Sequence, residues 1–201
     1  MMKFDILVAD PPWSYNRKST GGTNKSGSSQ QYDGMTLGEL IDLDDYTLPL
    51  MNDNSICFLW VTVPMLQEGL TVLRMWGFQY KTTITWVKRN NGLGNWFRGK
   101  TEHLLMGVRG SVKPFHLQAP NLILSEKTLK HSEKPWESYE LIQRCAERMG
   151  FLESKQIKIL ELFARPPTPM FISGTVDEWT CIGKDITGND IKVDLEELLL
   201  K

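Results

Sequence analysis

Four consecutive residues, Asp10-Pro11-Pro12-Trp13, follow the apolar run Ile6-Leu7-Val8-Ala9 and bring a carboxylate, two prolines and an indole to one turn. That set suits work on an exocyclic amine such as N6 of adenine. The lone pair of such an amine is delocalised into the ring, so it becomes nucleophilic only where acceptors localise and aim it. Asp10 can accept one N–H, as an oriented acceptor or base. Pro11 and Pro12 lack a backbone N–H and have φ fixed, which holds the carbonyls of the turn open as further acceptors. Trp13 offers a flat face for an unstacked base, a contact worth ~1–3 kcal/mol. Asp-Pro pairs alone commonly just end a strand. Buried strand, carboxylate, two prolines and indole together are far more specific.

Such a turn needs a strand that delivers it to a binding edge. Phe4 to Ala9 is a short, nearly continuous apolar run, as expected for a strand covered on both faces. Ser55 to Thr62, Phe78 to Lys88, Glu102 to Arg109, Leu122 to Leu124, Ile157 to Ala164 and Trp179 to Ile182 read as further strands. Thr36 is placed to cap a helix bearing Leu37, Leu40 and Ile41, and Pro64 to open one that buries Leu66, Leu70 and Leu73 and ends at Gly77. Ser132 caps a third, running to Met149 with Tyr139, Ile142 and Ala146 inward and Gly150 as its stop. Strands alternating with helices predict an α/β fold with a mostly parallel sheet, helices on both faces, and ligands at the carboxyl ends of the strands. Asp10 lies at such an end.

With 201 residues and 41% hydrophobic content, the chain suits one domain, 1–201, with a single core. Residues 14–34 form a long Gly/Ser/Thr/Asn/Lys-rich connection directly after the turn, read as a lid or substrate loop. Residues 89–101 make a polar loop carrying Trp96 and Phe97. No apolar stretch reaches the length of a membrane span, and no targeting segment is seen, so a cytoplasmic protein is expected. Cys57, Cys145 and Cys181 are widely separated, without metal-site or disulfide spacing, and read as reduced buried thiols; no metal is expected.

The net charge of −1 conceals an uneven distribution. From Arg74 to Lys113 there are eight basic residues and one acid, Glu102, while acids gather between Asp177 and Glu197. A basic face toward phosphates is therefore available, although each of these cations taken singly reads equally well as a solvated strand or loop residue.

The chain resembles the N6-adenine methyltransferases related to the messenger-RNA adenosine methyltransferase, the MT-A type with the Asp-Pro-Pro-Trp motif. The likeness continues through Tyr32-Asp33-Gly34-Met35, Phe58 to Thr62, Ile84 to Lys88, Glu102 to Gly110, His131 to Pro135 and Glu161 to Arg165. These blocks run in the family's order from about residue 4 to about residue 187. The resemblance implies a Rossmann-like methyltransferase fold, S-adenosylmethionine as cofactor, and nucleic acid as substrate, DNA rather than RNA for a compact bacterial or phage-like member. It implies Asp10, Pro11, Pro12 and Trp13 as catalytic residues, and Tyr32, Lys88, Arg89 and Trp96 on the substrate side.

For the cofactor the resemblance implies Lys134 at the methionine carboxylate, in a loop spanning 126–135, and Arg165 at the ribose or as a more general anchor of the cofactor. Read from residues alone, Lys134 is equally a surface lysine before a helix and Arg165 a strand-end arginine. Asp185 matches a ribose-binding position, whereas Lys184 stands where the family normally has Asn. The segment that usually holds the cofactor's adenine upstream of the catalytic strand has no counterpart in the nine residues before Asp10, so Asp5, Ile6 and the turn after Arg165, with Thr168 to Asp177, are the candidates for that role. Glu102 is expected to position a lysine or backbone groups near Trp13. His103, Trp60 and Trp86 are expected to be structural. A dimer or a partner methyltransferase-like subunit is compatible with this reading. The alternative is a non-catalytic nucleic-acid-binding subunit of a heteromeric methyltransferase, against which the intact Asp-Pro-Pro-Trp turn argues.

Overall fold

The computed structural model describes residues 2–14, 34–92, 94, 96–125, 133–166 and 179–201. Strand β1 (Phe4–Ala9) is buried at all six positions, as its unbroken apolar run requires. Successive side chains point to opposite faces, so Leu7 and Ala9 enter one core while Ile6 and Val8 enter another. Each core therefore needs its own cover.

β1 pairs in parallel with β2 (Met51–Thr62) on one side and β6 (Ile159–Leu162) on the other. With β3 (Gln79–Val87), β4 (Thr101–Arg109), β5 (Leu122–Leu124) and β7 (Trp179–Ile182), the described residues form one seven-stranded sheet of order β5-β3-β4-β2-β1-β6-β7. β4 alone runs against its neighbours β2 and β3. Six strands thus bring carboxyl ends to one edge, and β4 brings its amino end, Thr101-Glu102, to the same edge. β1 is where the chain order turns back on itself, the place where open α/β sheets bind ligands.

Helices cover both faces, in agreement with the predicted α/β, Rossmann-like, mostly parallel arrangement. Helices α1 (Leu37–Ile41), α2 (Asp44–Leu50) and α3 (Leu66–Met75) place Leu40, Leu50 and Leu73 in the first core. Helix α4 (Trp136–Glu153) places Ile142, Cys145, Ala146 and Met149 in the second. The Thr36 cap is a full capping box: its hydroxyl accepts from the Glu39 N–H, and Glu39 returns to the Thr36 N–H.

Several boundaries differ from expectation. Gly150 does not stop α4, which runs to Glu153 and ends on Ser154 at φ 52. Leu70 faces outward on α3. β6 closes at Leu162 because Phe163 turns to φ 60. Helix α2 and the C-terminal helices α5 (Lys184–Thr187) and α6 (Ile191–Leu199) were not expected; α6 sits in the acidic stretch, yet Ile191, Leu195 and Leu198 give it a buried face. The expected Ser132 cap lies outside the described residues. No described helix is long and apolar enough to cross a membrane.

Candidate active site

The turn after β1 is held by its own backbone. Asp10 N–H reaches Leu162 O on β6, Trp13 N–H donates to Pro11 O at 2.9 Å, and Met35 N–H donates to Pro12 O at 2.7 Å. Ser14 N–H donates back to Met35 O at 3.0 Å. The two ends of the 14–34 segment are therefore clamped side by side against the Asp10–Trp13 turn. Gly34 permits this approach, since a Cβ there would lie 2.9 Å from Ser14 Cα. The carbonyls of Pro11 and Pro12, expected to stand open, each already accept one hydrogen bond; one lone pair remains on each.

Trp13 is turned inward. Its indole N–H donates to Trp60 O at 3.0 Å and only 9% of the residue is exposed. The stacking face expected of it is not presented, because a ring with an apolar body gains more by joining the core with its one donor satisfied. Trp13 anchors the turn to β2.

Asp10, partly exposed, faces a line of alternating charges. Lys134 Nζ lies 2.9 Å from Asp10 Oδ1 and 3.1 Å from Glu102 Oε2, while the other Glu102 oxygen pairs with Lys88. Lys134 also lies 5.2 Å from the Trp60 ring centroid, and Lys88 5.0 Å from that of Trp86. Burial alone would push the Glu102 carboxyl up, but Lys134 and Lys88 more than offset this and hold it below the usual range. Burial would likewise lower the Lys134 ammonium, yet Asp10 and Glu102 raise it above its ordinary value. Glu102 and Lys134 are thus both held in their charged forms. Glu102 is positional as expected, and it holds Lys134 and Lys88 rather than the turn around Trp13. His103 contacts Thr85 Oγ1 at 3.2 Å, and burial lowers its imidazole, partly countered by Glu102.

Glu161 was not among the residues expected to carry a role. It is buried on β6, accepting from Tyr139 O–H at 2.9 Å and from the Cys181 thiol at 3.3 Å. Burial pushes its carboxyl up to about 7, against which the Tyr139 and Cys181 hydrogen bonds act. An acid within an otherwise apolar strand, Ile159-Leu160-Glu161-Leu162, was the available signal. Burial pushes the Cys57 thiol up, and Cys145 up to about 12, consistent with inert buried thiols.

Beside this edge, β6 and β7 end in a close backbone approach. Phe163 adopts φ 60 and Gly183 φ 147, and a Cβ on Gly183 would lie 2.9 Å from Ala164 N. Strained backbone of this kind gathers at functional sites. Arg165 Nε lies 3.8 Å from Asp185 Oδ2 on α5. The start of α5 is held by buried Asp194 of α6, which accepts from Gly183 N–H at 3.2 Å, Thr187 O–H at 2.7 Å and Asn189 Nδ2 at 3.0 Å. Lys184 is exposed on the same turn.

The structure brings Asp10, Pro11, Pro12, Lys134, Arg165, Lys184 and Asp185 to one edge of the sheet. It does not bring Asp5 or Ile6 there. Asp5 sits near the amino end of β1, five residues and roughly 16 Å along the strand from Asp10, where it accepts from Asn52 and Lys155, each at 2.7 Å, and from Lys158 N–H at 3.0 Å. Ile6 is wholly buried in the second core. On the substrate side Lys88 and Arg89 follow β3, and Trp96 stands 94% exposed at the tip of the 89–101 loop. Tyr32, and the stretch from Thr168 to Asp177, lie outside the described residues. Among the described residues no group of three or more His, Cys, Asp or Glu is arranged to hold a metal ion.

The MT-A70 family model matches residues 4–185. The chain is 27% identical over 194 residues to the human N(6)-adenosine-methyltransferase catalytic subunit METTL3, covering 92% of this chain and 29% of that protein. The Arabidopsis thaliana N(6)-adenosine-methyltransferase MT-A70-like is 26% identical over 193 residues, 92% of this chain and 24% of its own. The Type II methyltransferase M.MunI of Mycoplasma is 30% identical over 180 residues, covering 81% of this chain and 72% of the relative. The chain thus spans less than a third of the adenosine-methyltransferase relatives it matches.

Proposed function

The chain belongs to the MT-A70 family, and from that premise we propose that it is an S-adenosylmethionine-dependent methyltransferase acting on N6 of adenine in nucleic acid, DNA in preference to RNA. The observation that carries the reading is the placement of Asp10, in its Pro-Pro turn, beside Lys134 at the carboxyl edge where β1 and β6 meet. For the polymer, support comes from coverage: the chain spans 72% of the Type II methyltransferase M.MunI but 29% of human METTL3, whose name specifies the ribonucleoside.

The residues present fit the cofactor. A cation, an arginine–carboxylate pair and a glycine-lined backbone approach converge on one edge, which suits a molecule with an amino-acid end and a ribose. Lys134 would hold the methionine carboxylate, and Arg165 with Asp185 the ribose hydroxyls. When bound, the cofactor supplies an electrophilic sulfonium methyl. Asp10 would accept one N–H of the adenine amine and take the proton that the amine gives up as the methyl–nitrogen bond forms and the methyl–sulfur bond breaks. The remaining lone pairs on the Pro11 and Pro12 carbonyls are available to the second amine hydrogen. Orientation carries most of the rate in such a transfer. A paired base cannot reach this turn, so the target is unpaired or flipped out, at about a few kcal/mol. The same reading places the protein in a bacterial or phage-infected cytoplasm.

The test is transfer of a labelled methyl from S-adenosylmethionine to adenine-containing DNA and RNA oligonucleotides. Transfer to DNA exceeding that to RNA is expected. Binding of both polymers with transfer to neither would leave the non-catalytic subunit as the better description.

A further inference from the structure

Lys88 and Arg89 leave the sheet at the end of β3, and the loop they begin closes on itself before β4: Lys88 N–H donates to Lys100 O at 2.8 Å and Gly92 N–H to Gly99 O at 2.6 Å. The loop is therefore a projecting hairpin. Its tip carries Trp96 and Phe97, both almost fully exposed, and its base lies against the end of β5. Between base and strand is a cleft of about 460 Å³ lined by Val87, Lys88, Arg89, Lys100, Leu124 and Ser125.

Two features of this cleft are not explained by folding. Arg89 and Lys100 have no carboxylate partner among the described residues, whereas Lys88 is held by Glu102. Ser125 is 7% exposed, and its hydroxyl has no hydrogen-bond partner among the described residues. A buried hydroxyl without a partner is disfavoured by about 1–3 kcal/mol, so it points to a ligand that is a hydrogen-bond acceptor. Two uncommitted cations beside it make that ligand an anion. The same loop carries Trp96 and Phe97, exposed aromatic side chains of the kind on which bases stack, which favours a nucleic-acid phosphate over a small carboxylate.

We propose that this cleft binds a backbone phosphate of the substrate strand, with Ser125 O–H donating to a phosphate oxygen and Arg89 and Lys100 neutralising the charge. The proposal rests on the nucleic-acid reading above and deepens it. β3 is three inter-strand spacings from β1, roughly 14 Å, so the phosphate held is one flanking the target nucleotide rather than its own. Ser125 and Lys100 then fix the register of the strand while Asp10 handles the amine, the division between positioning and reading contacts usual in nucleic-acid recognition.

The test uses the full chain and single-stranded oligonucleotides with one adenine in a run of pyrimidines, in whichever of the deoxy or ribo forms binds more tightly. Each phosphate in turn is replaced by an uncharged methylphosphonate, and binding is measured for the unaltered chain, S125A and K100Q. One flanking position is expected to weaken binding to the unaltered chain about tenfold and to have no further effect on S125A or K100Q, the coupling expected of groups in contact. K100Q should also reduce the salt slope of binding by about 0.7, one single-strand phosphate contact, while S125A leaves it unchanged. Additive effects at every position overturn the phosphate site whether or not methyl transfer occurs. Absence of oligonucleotide binding overturns it together with the nucleic-acid reading. Coupling at one position without methyl transfer upholds the site and removes only the catalytic assignment.

Discussion

Lys134 Nζ stands 2.9 Å from Asp10 Oδ1, so the cation proposed to hold the cofactor's carboxylate is in direct contact with the proposed base. With Glu102 at 3.1 Å on its other side, Lys134 is the shared cation of two carboxylates on different strands. Replacing it by Met keeps most of the volume and removes the charge. Asp10 then loses this cation and Glu102 keeps only Lys88, and a loss of roughly 2–4 kcal/mol is expected, read as a fall in Tm. Lys134→Arg should recover most of the stability.

The pH dependence of stability separates two groups. Glu161 has a folded value of about 7, raised above its ordinary 4.5. Its folded form therefore holds a proton that the unfolded chain releases, so its contribution is complete below about 4.5 and is lost as pH rises through about 7, on the order of 3 kcal/mol in all. Glu102 is lowered, and its contribution is present above 4.5 and lost as pH falls through its folded value. Thermal unfolding between pH 4.5 and 8 should thus show Glu161→Gln gaining on the unaltered chain as pH rises. Parallel curves would mean that Glu161 does not titrate as described.

Trp13→Phe tests whether the indole is an anchor. It removes the donor to Trp60 O while keeping an aromatic ring, and about 1 kcal/mol of stability should be lost. Trp13→Ala, which also empties core volume, should lose about 3–5 kcal/mol. A residue used mainly for base stacking would instead lose substrate affinity at unchanged Tm.

Gly34→Val probes the clamp on the 14–34 segment. The added Cβ meets Ser14 Cα at 2.9 Å, backbone that cannot move without disturbing the Met35–Pro12 pairing. kcat for methyl transfer should fall at least tenfold while Tm drops by only a few degrees, measured by steady-state kinetics and thermal unfolding.

Much of this was legible in the chain because it depends on local pattern. The continuous apolar run of β1 and the alternation of β3 specify strands, and the Thr36-Glu39 spacing specifies a cap. Asp10 at a strand end followed from the same logic. What could not be read depends on partners distant in sequence. Trp13 offers the same residue type whether it turns outward to a base or inward to Trp60, 47 positions away. Asp5 and Asp10 are five residues apart, yet they sit at opposite ends of one strand, and only the pairing with Asn52 and Lys155 reveals what Asp5 does. The role of Asp194 in holding Gly183 depends on α6 folding back, which an acidic composition concealed.

In the proposed reaction Asp10 accepts the proton of an adenine amine during methyl transfer. Digestion of an adenine-containing oligonucleotide after incubation with the protein and S-adenosylmethionine, followed by mass spectrometry of the nucleosides, measures N6-methyladenine directly. N6-methyladenine should form with the unaltered chain and fall at least 1,000-fold in Asp10→Ala, with oligonucleotide binding retained by both. Undiminished N6-methyladenine from Asp10→Ala would contradict it.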